Sequence, residues 1–202
     1  MKKAHLSFQF VLSTLFTVFT IHQGVGLGQD CNVDLSKGTG KVEFHAVGRP
    51  SMLKIHGVGG APQGCFSLKN GKISGNAAFD LESLDTGIAL RNRHMKEKYL
   101  ETSKFRMAKF ELDPHQIPAR MPSSKEFKME NVDFKGKLTV HGVTKTVVGK
   151  AALTRNQKSV DVQLQFPGRM VDHNIEIPSF AGVTVAKDVD VVVSFSAPIQ
   201  AR

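Results

Sequence analysis

The chain has 202 residues, 22% of them charged and 41% hydrophobic, with a formal net charge of +9 and no Trp. That length holds one ordinary domain plus a targeting segment. Lys and Arg are spread along the chain without forming a run, and few aromatics stand ready to stack bases, which argues against nucleic acid as a partner.

Lys2 and Lys3 precede an apolar stretch, Leu6 to Ile21, and then small residues from Gly24 to Gly28. This is the layout of a secretory signal peptide, too short and weakly flanked for a stable membrane span. Cleavage is expected near Gly28, giving a leader over 1–28 and a mature domain over 29–202. Asp30 stands directly before Cys31, where a lipid-attachment site needs a small residue, so lipidation is disfavoured. Without Lys2 and Lys3 the formal charge falls from +9 to +7. Such a balance suits solubility and permits transient contact with an anionic membrane surface. Cys31 and Cys65 match no redox or zinc spacing. An exported compartment permits a disulfide between them, and two unpaired thiols are the alternative.

Strand signals then repeat. Val42, Phe44 and Ala46 alternate with Glu43 and His45. After a turn at Gly48–Arg49–Pro50, Leu53 and Ile55 alternate with Lys54 and His56. Gly57 to Gly64 bends the chain, and Cys65, Phe66 and Leu68 lead to a hairpin turn at Asn70–Gly71. A strand from Ile73 to Leu81 follows, and there the period changes. Ser83, Asp85 and Thr86 suit a helix start. Ile88, Asn92, Met95 and Tyr99 share one helical face, with Arg91 on its border. Ala108, Phe110 and Leu112 form another strand. Pro114, Pro118 and Pro122 mark a loop that Ser123–Lys125 extends. Val132, Phe134, Gly136, Leu138 and Val140 alternate up to a turn at His141–Gly142. Thr144 to Leu153 returns, and Asn156–Gln157 turns. Val160, Val162, Leu164 and Phe166 give the cleanest alternation. Pro167 to Val183 reads as irregular, and Val189, Val191, Val193 and Phe195 close the chain.

About eight strands with short turns and one short helical insertion predict an all-β, antiparallel up-and-down barrel. Closure points the apolar faces inward. The predicted lining is Phe44, Leu53, Ile55, Phe79, Phe110, Phe134, Leu138, Ala151, Val162, Leu164, Phe166, Val191 and Val193. Small inward residues (Ala46, Ala77, Gly136, Gly149 and Ala151) leave room for a ligand. A packed core, in which they let neighbours approach, is the alternative.

His45, His56, His94, His115, His141 and His173 lie beyond the leader, and none forms a His-x-His or His-Glu-x-x-His spacing. His45 and His56 face each other across a hairpin, but two ligands make a weak metal site, so no metal is predicted. No Gly-x-Ser-x-Gly and no phosphate-cradling loop occurs. Ser83 caps or turns better than it attacks, and Asp80, Glu82 and Asp85 read as caps or solvated groups. No catalytic residue and no cofactor are predicted. Arg91 has two readings: donor to a polar or anionic head group at a barrel mouth, or a pin that fixes the helix. His94 reads as a pin. Oligomeric state is not legible.

Two stretches resemble a known family. SLDTGIALRNRHMKEKYL, Ser83 to Leu100, is followed by KF and AKFEL, and FKGKLTVHGVTKTV runs from Phe134 to Val147. In that order they resemble the signatures of the YceI-like family, over most of the chain after about Asp34. The resemblance implies a lipocalin-like barrel, exported to the periplasm, that encloses an isoprenoid lipid, either a polyisoprenoid or an isoprenoid quinone. It implies a binding protein and not an enzyme. Ile88, Arg91, Asn92, Met95 and Tyr99 would then contact the ligand at the barrel mouth. Two other readings stay open: an isoprenoid-modifying enzyme centred on Arg91 and His94, and an envelope stress scaffold with a packed barrel.

Overall fold

The computed structural model of the chain describes residues 31–50, 53–69, 72–112, 126–180 and 182–199. The expected leader, the Asn70–Gly71 turn, His115 and the proline-marked loop lie outside those residues. Alternating apolar and polar residues form β1 (Val33–Asp34), β2 (Thr39–Arg49), β3 (Lys54–Gly59), β4 (Gln63–Lys69), β5 (Lys72–Asp80) and β6 (Met107–Leu112). They continue in β7 (Phe127–Val140), β8 (Val143–Arg155), β9 (Ser159–Arg169), β10 (Ser179–Phe180), β11 (Val183–Val185) and β12 (Asp188–Pro198). On β9, Val160 and Phe166 are buried while Asp161, Gln163 and Gln165 are exposed, the signature of one face on a core.

The described residues thus hold twelve strands, not about eight. Nine have six residues or more. The two- and three-residue strands β1, β10 and β11 are too short for alternation to show, and two of them end in or lie beside the stretch read as irregular. β7 begins five residues before Val132. Its pairing with β8 shifts register between Met129 and Val132, and Asn131 sits there with φ 55°. Asn tolerates that left-handed backbone, so one residue bulges out and the alternation restarts. β7 and β8 join through His141 (φ 50°) and Gly142 (φ 73°). Two positive φ values in a two-residue turn match the twist of the flanking strands.

Pairing is antiparallel throughout, in the order β1–β4–β5–β6–β7–β8–β9–β12–β2, with β3 on the free edge of β2 and β11–β10 continuing beside its end. The sheet curls into a half-barrel of lipocalin-like type. Its seam runs between β3 and β4 and is covered by other chain. At one end Val58 of β3 exchanges two 2.8 Å backbone hydrogen bonds with Asp85. At the other, Val33 bridges to Ile199 just past β12, and Leu35, 3% exposed, packs beneath. A disulfide between Cys31 and Cys65 fastens this leading segment to β4.

The insertion after β5 is more broken than a single helix. A 3-10 turn spans Leu81–Ser83, an α-helical segment (α1) Ala89–Arg93, and a π-helical turn His94–Tyr99. Ser83 does not start α1: its Oγ donates to the Asp80 carbonyl (2.7 Å) and accepts from Gly60 N–H (3.1 Å). Asn92 reaches back instead, its Oδ1 accepting from both Thr86 N–H (2.8 Å) and Thr86 Oγ1 (2.7 Å). Leu81, Leu84 and Met95 pack with Phe79 and Ala108, so the insertion covers one end of the half-barrel.

Candidate functional site

The chain has no Trp, and among the described residues Phe44, Phe66, Phe79, Phe110, Phe127, Phe134, Phe166 and Phe195 supply the large interior side chains. Many of these rings lie on the sheet wall over a glycine of the neighbouring strand. Phe44 pairs with Gly57, Phe66 with Gly75 and Phe134 with Gly149. A Cβ on Gly57 would fall 2.1 Å from the Phe44 ring, and one on Gly136 2.5 Å from the Phe110 ring. Only glycine permits such close approach of a side chain to backbone. Rings seated against glycine in this way line the chambers.

The open space forms two adjoining chambers. The one under the helical insertion has a volume of about 600 Å³, and the one at the opposite end about 480 Å³. Phe66, Phe110, Leu164 and Phe195 line both and form the constriction between them. Of the predicted lining, Phe44, Leu53, Ile55, Phe79, Leu138, Phe166, Val191 and Val193 face the helix-end chamber. Phe134, Ala151 and Val162 face the far chamber, and Phe110 and Leu164 face both. Leu53, 44% exposed, stands on the rim.

From the insertion, Ile88, Arg91, Met95 and Tyr99 line the helix-end chamber, joined by Leu90, His94 and Leu100. Asn92 is not among the lining residues. Its amide is consumed by the loop, accepting from Thr86 and donating to Asp85 Oδ1 at 2.6 Å, so its place is structural. Helical spacing alone does not separate Asn92 from Met95, and the π turn after Arg93 alters the spacing further. Arg91 donates from Nε to Thr86 Oγ1 (2.8 Å) and from Nη2 to the Thr86 carbonyl (2.7 Å). It therefore pins the loop ahead of α1 while one edge borders the chamber.

The stretch read as irregular, with Val185 just beyond it, also contributes to the chamber. Met170, His173, Ile175, Pro178, Val183 and Val185 line it, and His173 is 5% exposed with Nδ1 donating to the Val143 carbonyl at 2.9 Å. Nearby, His141 Nε2 meets Glu101 Oε2 at 2.8 Å. Lys104 and then His141 hold the Glu101 carboxyl below its ordinary value. These contacts fix the β7–β8 turn to the chain that leaves the helix.

Arg155 was not singled out by the sequence. It ends β8 on the same face as Ala151 and Leu153 and lines the far chamber with Asn32 and Gln157. Its Nε is buried with no hydrogen-bond partner. The signal was available: inward parity on β8 runs Val147, Gly149, Ala151, Leu153 and then Arg155.

His45 and His56 stack at 4.5 Å on adjacent strands, and His56 contacts Glu43 at 3.1 Å. Among the described residues no group of three His, Cys, Asp or Glu is placed to hold a metal ion. No described helix is long and apolar enough to cross a membrane.

Comparison with known proteins gives a family and a fold. The YceI-like domain matches residues 16–197. No curated protein matches the chain. Among solved structures, a polyisoprenoid-binding domain from Saccharophagus degradans implicated in plant cell wall breakdown is 16% identical, with a TM-score of 0.65 over 84% of this chain and 99% of that one. BcnA from Burkholderia cenocepacia is 20% identical, with a TM-score of 0.62 over 82% and 99%. The YCEI protein of Campylobacter jejuni is 13% identical, with a TM-score of 0.57 over 75% and 88%.

Proposed function

The chain belongs to the YceI-like domain family, and from that premise we propose that it is an exported carrier that holds an isoprenoid lipid, a polyisoprenoid or an isoprenoid quinone, along its interior. One observation carries the reading: two apolar chambers of about 600 and 480 Å³ lie end to end inside the half-barrel. A long, thin hydrocarbon fits such a space, and each Å² of its surface removed from water contributes roughly 25 cal/mol. The description of a 16%-identical neighbour as a polyisoprenoid-binding domain supports the same ligand class. A lining made mainly of Phe, Leu, Val and Ala supports holding over turnover.

Export is supported by the Lys2–Lys3, apolar, small-residue order at the start of the chain and by the Cys31–Cys65 bridge, which suits an oxidising compartment such as the periplasm. The basic balance of the mature chain suits brief contact with an anionic membrane surface, where a lipid is collected or delivered. Native mass spectrometry of protein purified from its own host, followed by lipid extraction, tests the reading. Recovery of an isoprenoid in one-to-one occupancy is expected. Protein that carries no lipid, and takes up none from isoprenoid-loaded vesicles, would overturn it.

A further inference from the structure

We propose that Arg155 receives the anionic head group of the carried lipid, so that the head lies in the far chamber and the tail runs past the constriction toward the helix. This rests on the lipid-binding reading above and adds a direction and a head-group class to it. Three arginines line the chambers, and their partners differ. Arg91 gives Nε and Nη2 to Thr86. Arg169 faces Asp172 at 3.6 Å and Asp188 at 3.3 Å. Arg155 alone of the three makes no hydrogen bond or ion pair among the described residues, and its Nε is buried.

Its position is set by the strand. The inward parity of β8 places it after Leu153, and its two register partners, Phe127 on β7 and Val160 on β9, line the same chamber. A guanidinium stays charged in any such surroundings. A buried charged donor left without an acceptor is costly, and an incoming anion removes the cost. Asn32 stands in the same chamber. Its Oδ1 accepts from Ser67 Oγ (3.3 Å) and Leu68 N–H (3.1 Å), which leaves its NH₂ as a second donor. Gln157 is turned outward to the exposed Glu126 at 3.0 Å. The helix-end chamber has the complementary character: it is the larger and the more uniformly hydrocarbon, and it suits a tail. A phosphate or carboxylate on an isoprenoid chain is the chemistry that fits both ends.

The test compares three probes of equal chain length on the mature protein: a polyprenyl phosphate, an isoprenoid quinone and a headless isoprenoid hydrocarbon. In Arg155→Met the ratio of phosphate to hydrocarbon affinity is expected to fall ten- to hundredfold, the range for a lost charge-assisted hydrogen bond. Arg155→Lys keeps the charge and is expected to recover part of that ratio. Ligand-free Arg155→Met is expected to melt no lower than the wild type, because the substitution removes an unpaired buried donor. An unchanged ratio, or a ratio that falls in Arg91→Met instead, overturns the assignment. A ratio that falls for the quinone but not for the phosphate overturns the anionic head group. A wild type that binds none of the three probes overturns the lipid reading itself, an outcome distinct from the others.

Discussion

Replacing Ala151 by Phe adds a ring inside the far chamber. Ala151 is 6% exposed, lies on β8 between Val132 and Leu164, and faces the lumen. A cavity that just holds one benzene ring measures about 150 Å³. The new ring therefore takes roughly a third of the 480 Å³ chamber. That is the room of about one isoprene unit, five carbons, worth at most about 4 kcal/mol at about 0.8 kcal/mol per buried CH₂. A chain that slides toward the helix recovers part of this, so a loss of at least tenfold in affinity is expected. Titration of the ligand-free variant with an isoprenoid, read by tryptophan-independent calorimetry, measures it. The melting temperature supplies a second check. A ring placed in empty space leaves the ligand-free protein as stable as before, whereas forcing one into a packed core costs about 1–3 kcal/mol. A folded Ala151→Phe protein with wild-type lipid affinity refutes the internal site.

Arg91→Met removes two hydrogen bonds to Thr86 and is expected to lower stability by about 1–3 kcal/mol in urea unfolding, weakening headed and headless isoprenoids alike. Paired Cys31→Ser and Cys65→Ser substitutions open a link spanning 34 residues and are expected to cost about 3–4 kcal/mol, read as a lower denaturant midpoint. Asp80 accepts from Arg106 at 2.8 Å, which first among its contacts holds its carboxyl below the ordinary 3.8. A carboxyl with a lowered folded value stabilises above its unfolded value and loses that contribution as pH falls through the folded one. Asp80→Asn keeps an oxygen for Glu82 N–H but loses the charge. Thermal melts of the two proteins should differ at neutral pH and converge below the ordinary Asp range, and a gap that persists in acid would count against the ion pair.

Much of the fold was legible because period-2 alternation is a direct record of burial on one face. It fails where a strand is short or interrupted. The bulge at Asn131 breaks the alternation of β7, so Phe127 and Met129 escaped the reading although both pack on the core. The three short strands carry too few residues to alternate. The helical insertion was recognisable as a change of period, but the partner of each side chain was not. Asn92 and Arg91 look alike as polar residues near an apolar face, and only the fold shows that both turn to Thr86. Arg155 escaped for the opposite reason: a cation after Leu153 reads as the end of a strand, whereas its parity keeps it inside.

The hollow interior has a cause that composition only half reveals. Small inward residues read as space left for a ligand, and Ala151 fits that description. Gly136 and Gly149 do not: the Cβ position of Gly136 is taken by the Phe110 ring, and that of Gly149 by the Gln165 carbonyl with Phe134 and Phe166 beside it. Phe134 in turn meets Phe110 and Phe166 edge-on, with ring centroids 6.0 and 6.1 Å apart. Edge-on packing is favourable for aromatic pairs. The lumen is therefore open because large residues are paired with glycine, not because large residues are few. By that logic a methyl group at Gly57, which would lie 2.1 Å from the Phe44 ring, displaces that ring into the helix-end chamber, where it takes up the room proposed for the lipid tail.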